Sequence, residues 1–280
     1  VVPVGSTNRA HMPTEFFGVY RPAGDATVIP CTWHETGISF WGRAGAWRYE
    51  AMLMPGLDSD RFGRDTWVAG GSGSPYAFKL ANALAGAVRV DNYSVRGLRM
   101  GLSGYVGNTF SNTLSHPNDS WRDVKGTLTI GAFDFDYSGH GVIVRGGALY
   151  GHLTDSDRIT AYNKKMRADS PSPKTNVASD AVSVGVEAGY DVLHSVRMKR
   201  RHQLYVFGRY DYYDSMLRTA GGVLRYDWCG RNRVAAGVNY YPIPQIVVKG
   251  EYSIGLMRSP YNNEPAVSIG VAYAGFFTRK

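Results

Sequence analysis

No run of about 20 apolar residues occurs in the chain, so no segment has the length and greasiness of a membrane-spanning helix. Cysteine is scarce: Cys31 and Cys229 are the 2 in 280 residues, and their separation excludes a CxxC redox motif and a zinc ribbon. Each precedes a predicted strand. A disulfide formed in an oxidising compartment and two unpaired buried thiols both stay open. Catalytic signatures are missing as well. His34-Glu35 lacks the second histidine of HExxH, and neither GxSxG nor a P-loop is found. Asp155-Ser156-Asp157 is too short for a calcium loop. These absences lead to the expectation of a non-enzyme with no cofactor and no metal. The start does not read as a secretory leader: Val1-Val2-Pro3-Val4-Gly5 reads as the middle of a strand, and a removed signal with more sequence, or a fragment lacking upstream strands, is expected.

What the chain does have is alternation. In Arg233–Tyr241, Val234, Ala236, Val238 and Tyr240 share one face against Arg233, Gly237 and Asn239. Pro242-Ile243-Pro244-Gln245 then reverses the chain. In Ile246–Leu256, Ile246, Val248, Tyr252, Ile254 and Leu256 alternate with Lys249, Glu251 and Ser253. The last strand sets Val267, Ile269, Val271 and Tyr273 against Ser268, Gly270, Ala272 and Ala274. Successive strand side chains point to opposite faces, so each strand has one greasy face and one polar or tiny face. The 34 Gly, 19 Tyr and 6 Trp, with aromatics near strand ends, fit a transmembrane β-barrel: apolar toward lipid, polar toward a lumen, aromatic girdles at the interfaces.

The same pattern recurs upstream. Strands are predicted over Thr36–Gly42, Ala46–Met54, Gly86–Tyr93, Gly97–Val106, Val124–Asp136, Gly141–Gly151, Asp180–Val192 and Gln203–Tyr213. With the tail this gives eleven strands, and the fragment at Val1–Gly5 brings the expectation to about 12. Short helices are predicted at Pro75–Ala85 and Asp155–Arg167, the second ended by Ser170-Pro171-Ser172-Pro173. Connections alternate strictly between short and long, the arrangement of periplasmic turns and extracellular loops. The fold class expected is all-β: an antiparallel transmembrane β-barrel, 1–280 as one outer-membrane domain lacking its first strands. Its partners would be the lipid bilayer and small polar or anionic solutes, with a homo-oligomer or other outer-membrane proteins open. The basic turn Arg197-Met198-Lys199-Arg200-Arg201 is read as facing headgroups or periplasmic partners, not nucleic acid.

Particular residues add a resemblance. Pro3-Val4-Gly5 with Asn8, His11, Pro13, Phe16-Phe17-Gly18-Val19 and Arg21-Pro22 is similar to a segment of the phosphate-selective porin (O/P-type) family. Ile29-Pro30 and Trp33-His34-Glu35-Thr36-Gly37-Ile38 continue it, as does Phe207-Gly208-Arg209-Tyr210-Asp211-Tyr212-Tyr213-Asp214. Gly237-Val238-Asn239-Tyr240-Tyr241-Pro242 and Val247-Val248-Lys249-Gly250-Glu251-Tyr252-Ser253 resemble it best. The resemblance implies a sixteen-stranded Gram-negative porin with several strands before Val1. It assigns none of the family's phosphate-binding arginines to a position here.

The candidate pore-lining residues come from alternation. Charges on a lipid face cost about 2–4 kcal/mol at midplane, so strand charges are assigned inward. The bases are Arg48, Arg89, Arg99, Lys125, Arg145, Arg209, Arg233 and Lys249. The acids are Glu50, Asp91, Glu187, Asp191, Asp211 and Glu251. Lys164 and Lys165 belong to a second basic cluster in a long loop. Two residues along a strand span roughly 7 Å, inside a Debye length, so Arg48/Glu50, Arg89/Asp91, Arg209/Asp211 and Lys249/Glu251 largely cancel. Arg99, Lys125, Arg145 and Arg233 would then set a weak anion preference, in line with the net charge of +8. A barrel whose long loops, Gly56–Leu84 and His152–Ser179, bind partner surfaces is the alternative.

Overall fold

The computed structural model describes the chain apart from residues 7–11, 74–80, 113–120, 171–173, 195–201 and 276–280. Asn8 and His11, the Ser-Pro breaker at 171–173, the basic turn at 197–201 and most of the helix expected from Pro75 lie outside the described residues.

Eleven strands form one antiparallel meander in which every strand pairs with its chain neighbours. They are β1 Ile38–Ala44, β2 Trp47–Pro55, β3 Leu84–Asn92, β4 Leu98–Asn108, β5 Thr127–Gly139 and β6 Val142–Leu153, then β7 Asp180–Asp191, β8 Gln203–Arg218, β9 Gly230–Ile243, β10 Ile246–Gly255 and β11 Ala266–Tyr273. Among the described residues β1 and β11 each have one strand neighbour. At one end of the sheet two-residue turns join β1 to β2, β5 to β6 and β9 to β10. His140 and Gly141 join β5 to β6 with φ of +53° and +75°, the left-handed pair of a two-residue hairpin turn that matches strand twist. The longer connections gather at the other end. One of them carries α1, Ser156–Met166. No described helix is long and apolar enough to cross a membrane.

Two expectations are corrected here. Val1–Gly5 is not a twelfth strand. It lies off the sheet with Val2 and Val4 fully buried, its Val2 N–H donating to the Trp33 carbonyl at 2.8 Å. A short apolar run reads alike in a strand and in a buried coil. The helix expected over Pro75–Ala85 does not run to its expected end, because β3 already begins at Leu84; Leu84 and Ala85 start its alternation. A six-residue helix, Ala23–Val28, was not anticipated: it has no side-chain cap and too few residues to show a period.

The two faces of the sheet differ sharply. On the convex side apolar residues stand bare: Ile269 is 79 % exposed, Ile38 78 %, Val267 77 % and Leu102 65 %. On the concave side the same strands carry charged groups, several of them buried, among them Arg89, Asp134, Arg209 and Lys249. The apolar core sits within the concave side at the long-loop end. There Met54, Ala87, Tyr105, Ile130 and Leu149 of the wall pack on Leu57, Phe62, Trp67, Phe110 and Ile159 of the loops.

Candidate functional site: a strap pinned across a charged wall

What buries the concave charges is the segment preceding β1. Its described residues, 1–6 and 12–37, run along the inner wall, and the wall holds them chiefly by their peptide groups. Lys249 Nζ donates to the carbonyls of Phe16 at 2.6 Å and Gly18 at 2.7 Å. Asn239 donates to the Phe17 carbonyl at 2.8 Å, and Arg209 to the Tyr20 carbonyl at 2.8 Å. Carboxylates take the N–H groups: Glu251 from Val19 at 2.8 Å, Glu187 from Phe17 at 3.1 Å. Arg145 donates to the Glu15 carbonyl. Such charge-assisted bonds are roughly twice as strong as neutral ones, and an irregular segment can be buried only if its peptide groups find partners.

Packing completes the seat. The Phe17 ring stacks on Phe207 with centroids 5.5 Å apart and contacts Tyr205, Tyr241 and Val247 in a small second core. Gly189 makes room for it, since a Cβ there would fall 2.4 Å from the Phe17 ring. Farther along, Ser6 and Ser183 both donate to Asp25, at 2.7 and 2.8 Å.

The predicted wall residues can now be placed. Arg48 faces inward and pairs with Glu50 at 2.9 Å. Arg89 pairs with Asp91 and Asp134, both at 2.8 Å, and points toward the Gly5 carbonyl. Arg209 pairs with Asp211 at 2.9 Å. Lys249, expected to cancel Glu251, serves the strap instead.

Of the four bases expected to act alone, three have partners and the fourth lies off the wall. Arg99 meets Asp91 at 3.1 Å and Asp134 at 2.5 Å. Arg145 meets Asp136 at 3.0 Å and Glu187 at 3.3 Å. Arg233 meets Ser253 at 2.8 Å and has Glu264 at 3.9 Å. Lys125 is not in a strand; β5 begins at Thr127, and Lys125 is exposed in the preceding loop. The reason is register. Antiparallel pairing sets Asp136 opposite both Arg99 and Arg145, and Glu187 opposite Arg145. Asp134 and Asp136 escaped the sequence reading, although counting back from the His140-Gly141 turn pairs Asp136 with Arg145. Lys164 and Lys165 stand exposed in the last turn of α1, where the helix dipole favours cations.

Outside the strands, Asp65 pairs with Arg64 at 2.9 Å and Lys174 at 2.8 Å. Burial works against its charge, but hydrogen bonds from Lys174 and Arg64 outweigh it and hold the carboxyl below its usual range. Both cysteines are free: Cys31 is exposed and Cys229 buried. Burial pushes the Cys229 thiol up.

Strap and wall leave cavities on the concave side, among them one of about 240 Å³ between Val1–Gly5 and Arg48, Glu50 and Arg89. One of about 260 Å³ lies between the strap and the wall around Arg145, Gly185 and Asp211. Another, of about 270 Å³, lies between Arg21, Arg231 and Glu264. Among the described residues no group of three or more His, Cys, Asp or Glu side chains is arranged to hold a metal.

No family model matches the chain. An uncharacterised protein of Aquifex aeolicus (strain VF5) is 23 % identical over 260 residues, covering 90 % of this chain and 56 % of the relative. Among solved structures, a porin refined at 1.8 Å aligns with a TM-score of 0.46 at 12 % identity, over 85 % of this chain and 60 % of the porin. OmpF of Salmonella typhi, in complex with daunomycin, aligns with a TM-score of 0.49 at 11 % identity, over 84 % of this chain and 60 % of its own. LpxR of Salmonella typhimurium gives a TM-score of 0.28 at 10 % identity, over 83 % and 85 %. The chain thus spans just over half the length of the Aquifex relative and three fifths of each porin.

Proposed function

We propose that this chain forms most of the wall of an outer-membrane β-barrel channel through which small polar solutes diffuse passively. The bare convex face carries the reading. A water-soluble protein rarely leaves a contiguous apolar patch larger than a few hundred Å² uncovered. Here the apolar side of the meander is exposed from Ile38 in β1 to Val271 in β11, while most strand charges lie on the opposite side; Asp180, with His152, is an exception at the long-loop end. A hydrocarbon surrounding makes that the stable arrangement. The strands suit the span too: β3 to β10 have 9 to 16 residues, against the roughly 9–11 tilted residues that cross a bilayer.

Unpaired edges cannot face lipid, so β1 and β11 are proposed to be joined by further strands of the same protein, sixteen in all if the O/P-type resemblance holds. The strap narrows the passage and the wall charges fix it in place. We propose transport, not catalysis. The anion preference expected from the sequence loses its basis in the wall, because Arg99, Arg145 and Arg233 face carboxylates and Lys125 lies in a loop; selectivity is set where the strap leaves room. Current steps in planar bilayers test the reading. Membrane insertion without current would favour the barrel whose loops bind partners.

A further inference from the structure

The cavity of about 260 Å³ between strap and wall has an unbalanced lining. Three guanidinium groups reach it, those of Arg99, Arg145 and Arg209, and five carboxylates, those of Glu15, Asp25, Asp136, Glu187 and Asp211. Arg99 is engaged by Asp91 and Asp134, outside the lining. Arg145 is shared between Asp136 and Glu187. Asp25 is served by the hydroxyls of Ser6 and Ser183, which carry no charge. The cavity is therefore short of positive charge.

Asp211 adds an independent sign. Its side chain is 2 % exposed. Arg209 Nε lies 2.9 Å from Asp211 Oδ2, yet neither atom has a hydrogen-bond partner among the described residues, so the pair is close but misaligned. The Ala23 N–H also reaches this carboxylate, but Oδ2, beside Arg209, lacks an aligned donor, an exception for a buried acceptor. Gly185 keeps the approach open, since a Cβ there would stand 2.9 Å from Asp211 Oδ1.

We propose that this cavity binds a small organic cation that carries N–H donors, a primary ammonium or a guanidinium, with Asp211 as its counter-ion; the proposal rests on the channel reading above and names the class of solute favoured at the narrow point. A bare metal ion fits less well, because no cluster of three ligating side chains is arranged for one among the described residues.

The test uses the full-length protein in detergent, with saturation-transfer NMR to propylammonium, propionate and propionamide. Propylammonium should bind most tightly, and Asp211→Asn should weaken it at least tenfold while circular dichroism stays β-rich. If D211N does not fold, Gly185→Ser serves: its hydroxyl would fill the gap beside Asp211 and give the same loss. Propionate or propionamide binding as tightly as propylammonium, or binding unchanged in a folded D211N or G185S, overturns the proposal. Bilayer conductance is measured separately. Propylammonium binding without conductance would remove the channel and leave the site, whereas conductance with no propylammonium binding would remove the site and leave the channel.

Discussion

Lys249 holds Phe16 in two ways: its Nζ donates to the Phe16 carbonyl at 2.6 Å, and the same ammonium sits 4.2 Å from the centroid of the Phe16 ring. One buried lysine of β10 thus fixes both the backbone and the side chain of a segment more than 230 residues earlier. Lys249→Met keeps the apolar stem but removes donors to two carbonyls. Hydrogen bonds to charged groups contribute about 1.5–3 kcal/mol each, so the strap should loosen. Single-channel recordings should show larger and noisier conductance for K249M than for the unmodified protein. An unchanged conductance would mean that the strap does not narrow the passage.

The convex face supplies the sharpest stability contrast. Val88 stands in the middle of β3 with 58 % of its surface exposed. In water, replacing such a residue by Arg changes stability within about 0.5 kcal/mol. Facing the bilayer midplane, it costs about 2–4 kcal/mol. Urea unfolding from lipid vesicles of Val88→Arg should show the larger loss, and a near-zero change would place Val88 in water.

The thiols should react unequally. Cys31 is exposed and Cys229 buried, and burial raises the Cys229 thiol, so less of it is thiolate at neutral pH. Maleimide should therefore label Cys31 first, and Cys229 only after unfolding. Mass spectrometry of peptides after timed labelling reads this out. Equal rates would contradict the burial of Cys229.

Asp65 gives a pH dependence of known sign. Its carboxyl is held below its usual range, so the stability it contributes is full above the ordinary aspartate value of about 3.9 and is lost as pH falls through the lower folded value. Thermal unfolding of Asp65→Asn should therefore fall below the unmodified protein at neutral pH, and the two should converge on acidification. A gap that widens toward low pH would contradict this.

Much of this was legible in advance. Every one of the eleven strands is announced by two-residue alternation, because one face of each must be greasy and the other must not. Val234, Val238 and Tyr240 of β9 already sort from Arg233 and Asn239 on sequence alone. What stayed hidden is what lies against the wall. Val1–Gly5 looks like a strand because burial on all sides needs the same residues. Arg99 and Arg145 look solitary because charge balance along one strand ignores the neighbours that register brings alongside, here Asp134, Asp136 and Glu187. The partners of Lys249 are main-chain carbonyls, which leave no mark in a sequence.

The central claim is that the apolar convex face meets lipid while the charged concave face lines a watery passage. Single-channel recording of the full-length protein in a planar bilayer tests it most directly. Discrete, ohmic current steps that persist at constant voltage are the expected result. A protein that inserts into the bilayer and carries no current above the bare membrane would contradict the account.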